Sequence, residues 1–155
     1  MELVRENFVK GLRSFKDYGF AGYHHWVTPY GVNDIDLRNL AKEYNILSLI
    51  KMSANMTTKE LFTPRGALDR YDIPRYTFSA SSVFDSYKGL INACAEANGL
   101  LLVVSHVNTW DNTTTLDNKL SDHIQYAIDN GVKVANYLEA FEDWKALFYM
   151  NEIFK

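Results

Sequence analysis

One histidine in this sequence closes an apolar run and opens a polar one. Residues 100–104 are Leu-Leu-Leu-Val-Val, Ser105 and His106 follow, and then come Asn108, Thr109, Asp111, Asn112 and three threonines. A histidine at the end of a strand stands where α/β enzymes gather catalytic groups. A histidine that only terminates a strand and bonds a neighbouring loop fits the same position. His24 and His25 are adjacent on a β-rich stretch, so their side chains point to opposite faces and cannot pair on one metal. The reading for them is one packed and one surface histidine. His123 falls inside a helical pattern beside Asp122 and is read as solvent-facing. No two histidines are spaced i and i+4, and no Cys-His cluster exists, so the spacing signals no autonomous zinc site.

Other chemistries are excluded on spacing. The chain has no Gly-x-Gly-x-x-Gly, no Gly-x-x-x-x-Gly-Lys and no Gly-x-Ser-x-Gly. Cys94 lies on the apolar stripe of a helix and reads as core. The acidic residues are scattered, with no marked carboxylate pair for glycoside hydrolysis. Aromatics do cluster at candidate strand ends. Tyr23, Trp26 and Tyr30 flank the first strand, and Trp110 lies in the loop after His106. Such rings suit the apolar faces of sugars; core packing is the reading for Trp144 and Phe141, and for Trp110 it explains the ring equally.

The elements that must position these groups follow from periodicity. Residues 2–18 carry Val4, Phe8, Leu12 and Phe15 on one helical face, with Gly19 as the stop. A strand is predicted over 20–27. The next helix covers 34–45, capped by Asn33 or Asp34, with Ile35, Leu40 and Tyr44 inward. A buried strand spans 46–52. Residues 53–74 read as a long loop, followed by a short strand at 75–78. A helix over 82–97 buries Val83, Tyr87, Leu90, Ile91 and Cys94. The strand at 100–105 reads as covered on both faces. A loop over 107–116 leads to a helix at 117–130 with Leu120, Ile124, Ala127 and Ile128 inward. Residues 132–135 form a short strand, and Asn136 caps a last helix at 137–150. The prolines, Pro29, Pro64 and Pro74, fall in loops or at strand ends. This alternation predicts an α/β fold with a mainly parallel sheet, whose working edge is the C-terminal end of the strands.

Composition agrees with one ordinary domain. The chain has 155 residues with 47% hydrophobic and 23% charged, which excludes disorder, collagen and coiled coil. A net charge of −3 argues against a phosphate-held nucleic-acid binder. Apolar runs are far short of the ~20 residues that span a bilayer, so no membrane partner is expected. The first residues, Met1-Glu2-Leu3-Val4-Arg5-Glu6, resemble no signal peptide, giving a cytoplasmic or virion-associated expectation. Cys94 has no partner for a disulfide.

Several motifs in order resemble one family. The stretch 99–106, Gly-Leu-Leu-Leu-Val-Val-Ser-His, then Tyr126-Ala-Ile-Asp-Asn-Gly-Val132, then Tyr137-Leu-Glu-Ala140 resemble the C-terminal end of polysaccharide deacetylases of carbohydrate esterase family 4. Thr28-Pro-Tyr-Gly31 resembles that family's Arg-x-Pro-Tyr-Gly motif after a Gly-Phe strand start, here Gly19-Phe20. Asp72-Ile-Pro-Arg75 resembles the Ile-Pro-Arg segment of deacetylase-like proteins of bacteria and phage tails. The resemblance runs from about Leu3 to Trp144. It implies an irregular (β/α) barrel that hydrolyses N- or O-acetyl groups on glycans with a divalent metal. His106 would be the late general acid, and the backbone at Tyr30 an oxyanion donor. Trp110, Arg75, Trp26 and His25 would bind substrate.

The departures are specific. The family's Thr-Phe-Asp-Asp-Gly motif is absent, as is its His-x-x-x-His pair, and the motif arginine aligns with Val27. The chain therefore reads as a single domain shortened at its N-terminal side, against roughly 200 residues or more for a full barrel. It holds no metal alone, and zinc or a similar ion is expected only if a partner completes the site. A partial barrel leaves strand edges to cover, so a second copy or another polypeptide is expected alongside the glycan. The alternative is a non-catalytic glycan-binding or structural module, such as a phage tail or baseplate component.

Overall fold

The computed structural model describes residues 2–20, 24–28, 33–52, 62–65, 69–78, 84–105 and 113–153. It is an α/β protein built on four parallel strands that curl as a half-barrel. In chain order the elements are α1 (Glu2–Asp17), β1 (His25–Val27), α2 (Ile35–Glu43), β2 (Ser48–Met52) and β3 (Ile73–Phe78). They continue with α3 (Phe84–Glu96), β4 (Leu102–Ser105), α4 (Thr113–Asp129) and α5 (Tyr137–Ile153). Each strand pairs with the next in sequence, in the order β1-β2-β3-β4. The register sets Trp26 beside Leu49, Ile50 beside Ile73, Arg75 beside Leu102, and Phe78 beside Ser105.

Alternation along the strands splits the side chains between two faces. Trp26 and Leu49 face α1 and α2, where Phe8, Leu12, Leu37, Leu40 and Ala41 complete the cluster. Tyr76 and Leu101 lie on that same face and meet α3 through Leu90, Cys94, Tyr87 and Ile91. Ile50, Ile73 and Leu102 point the other way, onto α5. That helix contributes Phe141 and Phe148, whose rings stack 5.3 Å apart.

Local chemistry explains the boundaries. Asp34 caps α2, its carboxylate accepting from the Leu37 N–H at 2.8 Å. Asn45 follows α2 with φ of 53°, a left-handed turn residue that asparagine tolerates. Asn136 caps α5 by accepting from the Glu139 N–H at 3.0 Å. Pro74 is the second residue of β3, one position before the ladder to β4 begins, so its missing N–H is not needed there.

Several sequence expectations are corrected. Among the described residues, β1 is only His25–Val27, and Phe20 is exposed coil. Ile35 points to solvent in the first turn of α2. β3 starts two residues early, at Ile73. α4 begins at Thr113, so the threonines expected in a loop open a helix. That helix is also rotated from the expected phase: His123 and Ala127 are buried, while Leu120, Ile124 and Ile128 stay exposed. His123, read as solvent-facing, is 3% exposed, with its ring against Phe78 and Tyr87. Residues 132–135 are no strand and pair with nothing in the sheet. Among the described residues β4 is therefore the last strand, and Val103 is 39% exposed rather than covered on both faces.

Gly99 marks where α3 hands over to β4. A Cβ there would lie 2.9 Å from the Phe62 ring and 3.0 Å from the Thr63 carbonyl oxygen. Thr63 and Leu100 exchange both backbone hydrogen bonds, at 2.9 and 2.8 Å, in an antiparallel bridge. Gly99→Ala should displace that bridge and cost about 1–3 kcal/mol, as overpacked sites do. A shift in urea midpoint with faster exchange of the Thr63 amide is the expected result. An unchanged midpoint would mean that Phe62 yields freely.

Candidate functional site

Because the strands are parallel, all four C-terminal ends emerge at one edge. Thr28 follows β1 and is locked there: its N–H and its hydroxyl both donate to the Ile50 carbonyl, at 3.0 and 3.1 Å. Ser105, the last residue of β4, is held in register with Phe78. The segments leaving these ends are 29–32, 53–61, 79–83 and 106–112. Tyr30, His106 and Trp110 belong to them and lie outside the described residues.

Arg75 is a polar group within β3, in register with Met52 at the end of β2 and Leu102 at the start of β4. It shares the α5 face with Ile73 and stands two residues farther along β3. It is 9% exposed, and its Nε has no hydrogen-bond partner. An N–H buried without a partner is costly, so a ligand or partner oxygen meeting the Arg75 Nε would be favourable.

His25 sits at the opposite, N-terminal end of the strands. Its Nδ1 is 2.9 Å from the Ser48 hydroxyl, which also accepts from the Tyr137 hydroxyl at 2.6 Å. Phe141 packs on the imidazole at 4.6 Å between ring centroids. Ser48 is fully buried. A consistent arrangement has Tyr137 donating to Ser48 and Ser48 donating to a neutral His25. Burial pushes the Tyr137 phenol up to about 12, so it stays a donor at any ordinary pH. Trp26 is on the other face, with its ring centroid 4.3 Å from that of Phe8. The structure thus does not bring Trp26, His25 and Arg75 together: they occupy two faces and two ends of the sheet.

Burial lowers the imidazole pKa of His25, with His24 adding repulsion, and burial also lowers that of His123. Both folded values lie below the unfolded value of 6.5, so the unfolded chain binds more protons as the medium acidifies. The contribution is fully present above that value and is lost as pH falls through it toward the folded values. Urea midpoints should therefore drop below about pH 6.5. His123→Leu should flatten part of that decline, and an unchanged profile would mean that this imidazole titrates as if solvated.

Sequence reasoning missed two sites. The first is a groove of about 910 Å³ along the far side of β4, with Leu101 and Val103 in one wall and Ile124, Val132, Val134 and Trp144 in the others. Among the described residues no strand pairs with β4 on that side. The exposed Val103 and Val134 were legible only as strand residues, so their exposure had no signal in the sequence. The second is a carboxylate hub at Asp72. One oxygen accepts from Asn33 at 2.8 Å and meets Arg38 and Lys51, each at 2.9 Å, tying α2 to the start of β3.

Among the described residues no group of three His, Cys, Asp or Glu side chains gathers. His25 and His123 lie on opposite sheet faces, each against aromatic rings. Also among the described residues, no helix is long and apolar enough to cross a membrane. No family model, curated protein or solved structure matches this chain.

Proposed function

We propose that this chain is a polysaccharide deacetylase-like domain that takes an acetylated glycan at the C-terminal edge of its sheet. On this reading the half-barrel is part of an irregular (β/α) barrel, and hydrolysis requires a second polypeptide. The observation that carries the proposal is the sequential parallel order of β1 to β4. It brings out at one edge the segments that follow β1 and β4, which hold the Thr28-Pro-Tyr-Gly31 motif and His106. The buried Nε–H of Arg75 adds a donor for a sugar carbonyl or carboxylate. His106 would protonate the leaving amine or alcohol, and the backbone at Tyr30 would steady the oxyanion.

The partner's place is the open side of β4. An extended segment pairing there would satisfy the strand's backbone groups and bury Val103 and Val134. It would also bring the metal ligands and the general base, because the sequence contains no Asp-Asp and no His-x-x-x-His.

The test is acetate release. The chain, co-purified with its neighbouring gene product and supplied with zinc or cobalt, should release acetate from acetylated glycans. His106→Ala should abolish release while preserving the complex. If no acetate appears from any acetylated glycan, the catalytic reading fails.

A second reading is favoured by those same missing motifs. The domain would then bind glycan without cleaving it, or build an assembly such as a phage tail. Glycan-array binding by the chain alone, lost in Trp110→Ala and in Arg75→Met, would support recognition without catalysis.

A further inference from the structure

The α5 face of the sheet changes character along the strands. α5 covers its first part: Phe141 packs on His25, Tyr137 bonds Ser48, and Ile50, Ile73 and Leu102 join the helix in one cluster. Strand alternation puts Val27, Arg75, Thr77 and Val104 on this same face. Val27 is 48% exposed, and Thr77 and Val104 are half-buried, so α5 does not seal that part.

Arg75 stands one row beyond Val27, Ile50 and Ile73, where β1 has ended and β2 reaches its last residue. Among the described strand residues of this face it is the only lysine or arginine, and none is acidic. It makes no ion pair with a described residue, and its Nε–H is buried without a partner. Such a donor is costly to leave unmet, so an oxygen arriving there is favoured.

The orphan atom also selects the kind of oxygen. The Nε–H and one Nη–H point the same way along one side of the guanidinium plane, and a planar carboxylate meets both at once. A single neutral carbonyl lacks the second oxygen and the charge, so it uses this fork less fully.

We propose that Arg75 binds the carboxylate of an acidic sugar, so that the glycan taken by this chain is of the uronate class. This deepens the glycan reading and rests on it for the sugar; the carboxylate follows from Arg75 itself.

Titration of the full chain with glucuronate, glucose 6-phosphate and neutral N-acetylglucosamine tests it, read by NMR at the Arg75 side-chain Nε–H. Glucuronate should shift that resonance saturably, with an affinity weakened by added salt. N-acetylglucosamine should bind roughly tenfold more weakly or not at all. Arg75→Lys keeps the charge and loses the fork, and should weaken glucuronate by roughly tenfold or more. Should that variant fail to fold, the wild-type Nε–H resonance still decides. The proposal is overturned by an Nε–H that glucuronate leaves unmoved, by equal or tighter binding of N-acetylglucosamine, by a response to glucose 6-phosphate alone, or by wild-type affinity in a folded Arg75→Lys. Acetate release from neutral acetylated glycans without glucuronate binding would leave the deacetylase reading standing and this inference fallen. Glucuronate binding with no acetate released from any glycan would do the reverse.

Discussion

Phe148→Ala is expected to cost about 3–5 kcal/mol, the range for truncating a buried phenylalanine. A domain of this kind has only about 5–15 kcal/mol in hand, so the variant should unfold at far lower urea. The size of the effect comes from position. Phe148 is fully buried and stacks on Phe141, in one cluster with Ile50, Ile73 and Leu100. α5 is the only described helix covering that face of the sheet. Loosening it therefore exposes the inner side of three strands at once. Tyr18→Ala, at an exposed position after α1, should change stability by no more than about 0.5 kcal/mol. Equal midpoints for Phe148→Ala and wild type would mean that α5 is not docked as described.

Ser48→Ala should be the next most damaging change, by about 1–3 kcal/mol for each buried polar group left without a partner. The hydroxyl is the hinge of the chain from Tyr137 to His25, so its loss strands both neighbours. A double-mutant cycle with Tyr137→Phe separates this from simple packing loss. Removing the phenol hydroxyl should hurt the wild type and be close to neutral once Ser48 is alanine, since the stranded donor is then gone. Additive costs would show that the two hydroxyls contribute separately.

The layered plan was legible because its periodicities are strong. Phe8 and Leu12 marked the buried face of α1, and Tyr87, Leu90, Ile91 and Cys94 that of α3. Single-residue punctuation also served well, as with Asp34 and Asn136 at helix starts. The failures have one common physical origin at the β4 side. Leu120, Ile124 and Ile128 form a regular stripe, and Val132 and Val134 alternate as strand residues do. Whether such stripes are covered depends on what packs beside them, which periodicity does not encode. Here the neighbouring space is an open groove, and α4 turns His123 inward against Phe78 and Tyr87 instead. An aromatic cage for a neutral imidazole has no sequence signature. Of the candidate site residues, the sequence placed Arg75 correctly on a strand, but its burial on the α5 face needed the register with Met52 and Leu102.

The consecutive strand order also bears on how the chain is made. Each new strand adds to the one synthesised just before it, so the sheet can grow from β1 to β4 as the polypeptide emerges. α5 breaks that local rule, because Tyr137 reaches back 89 positions to Ser48 and Phe141 returns to His25. A ribosome-bound chain not yet extended past Tyr137 would display Ile50, Ile73 and Leu102 uncovered. That interval is when the nascent protein would be most open to chaperone capture, and it closes only when α5 leaves the exit tunnel.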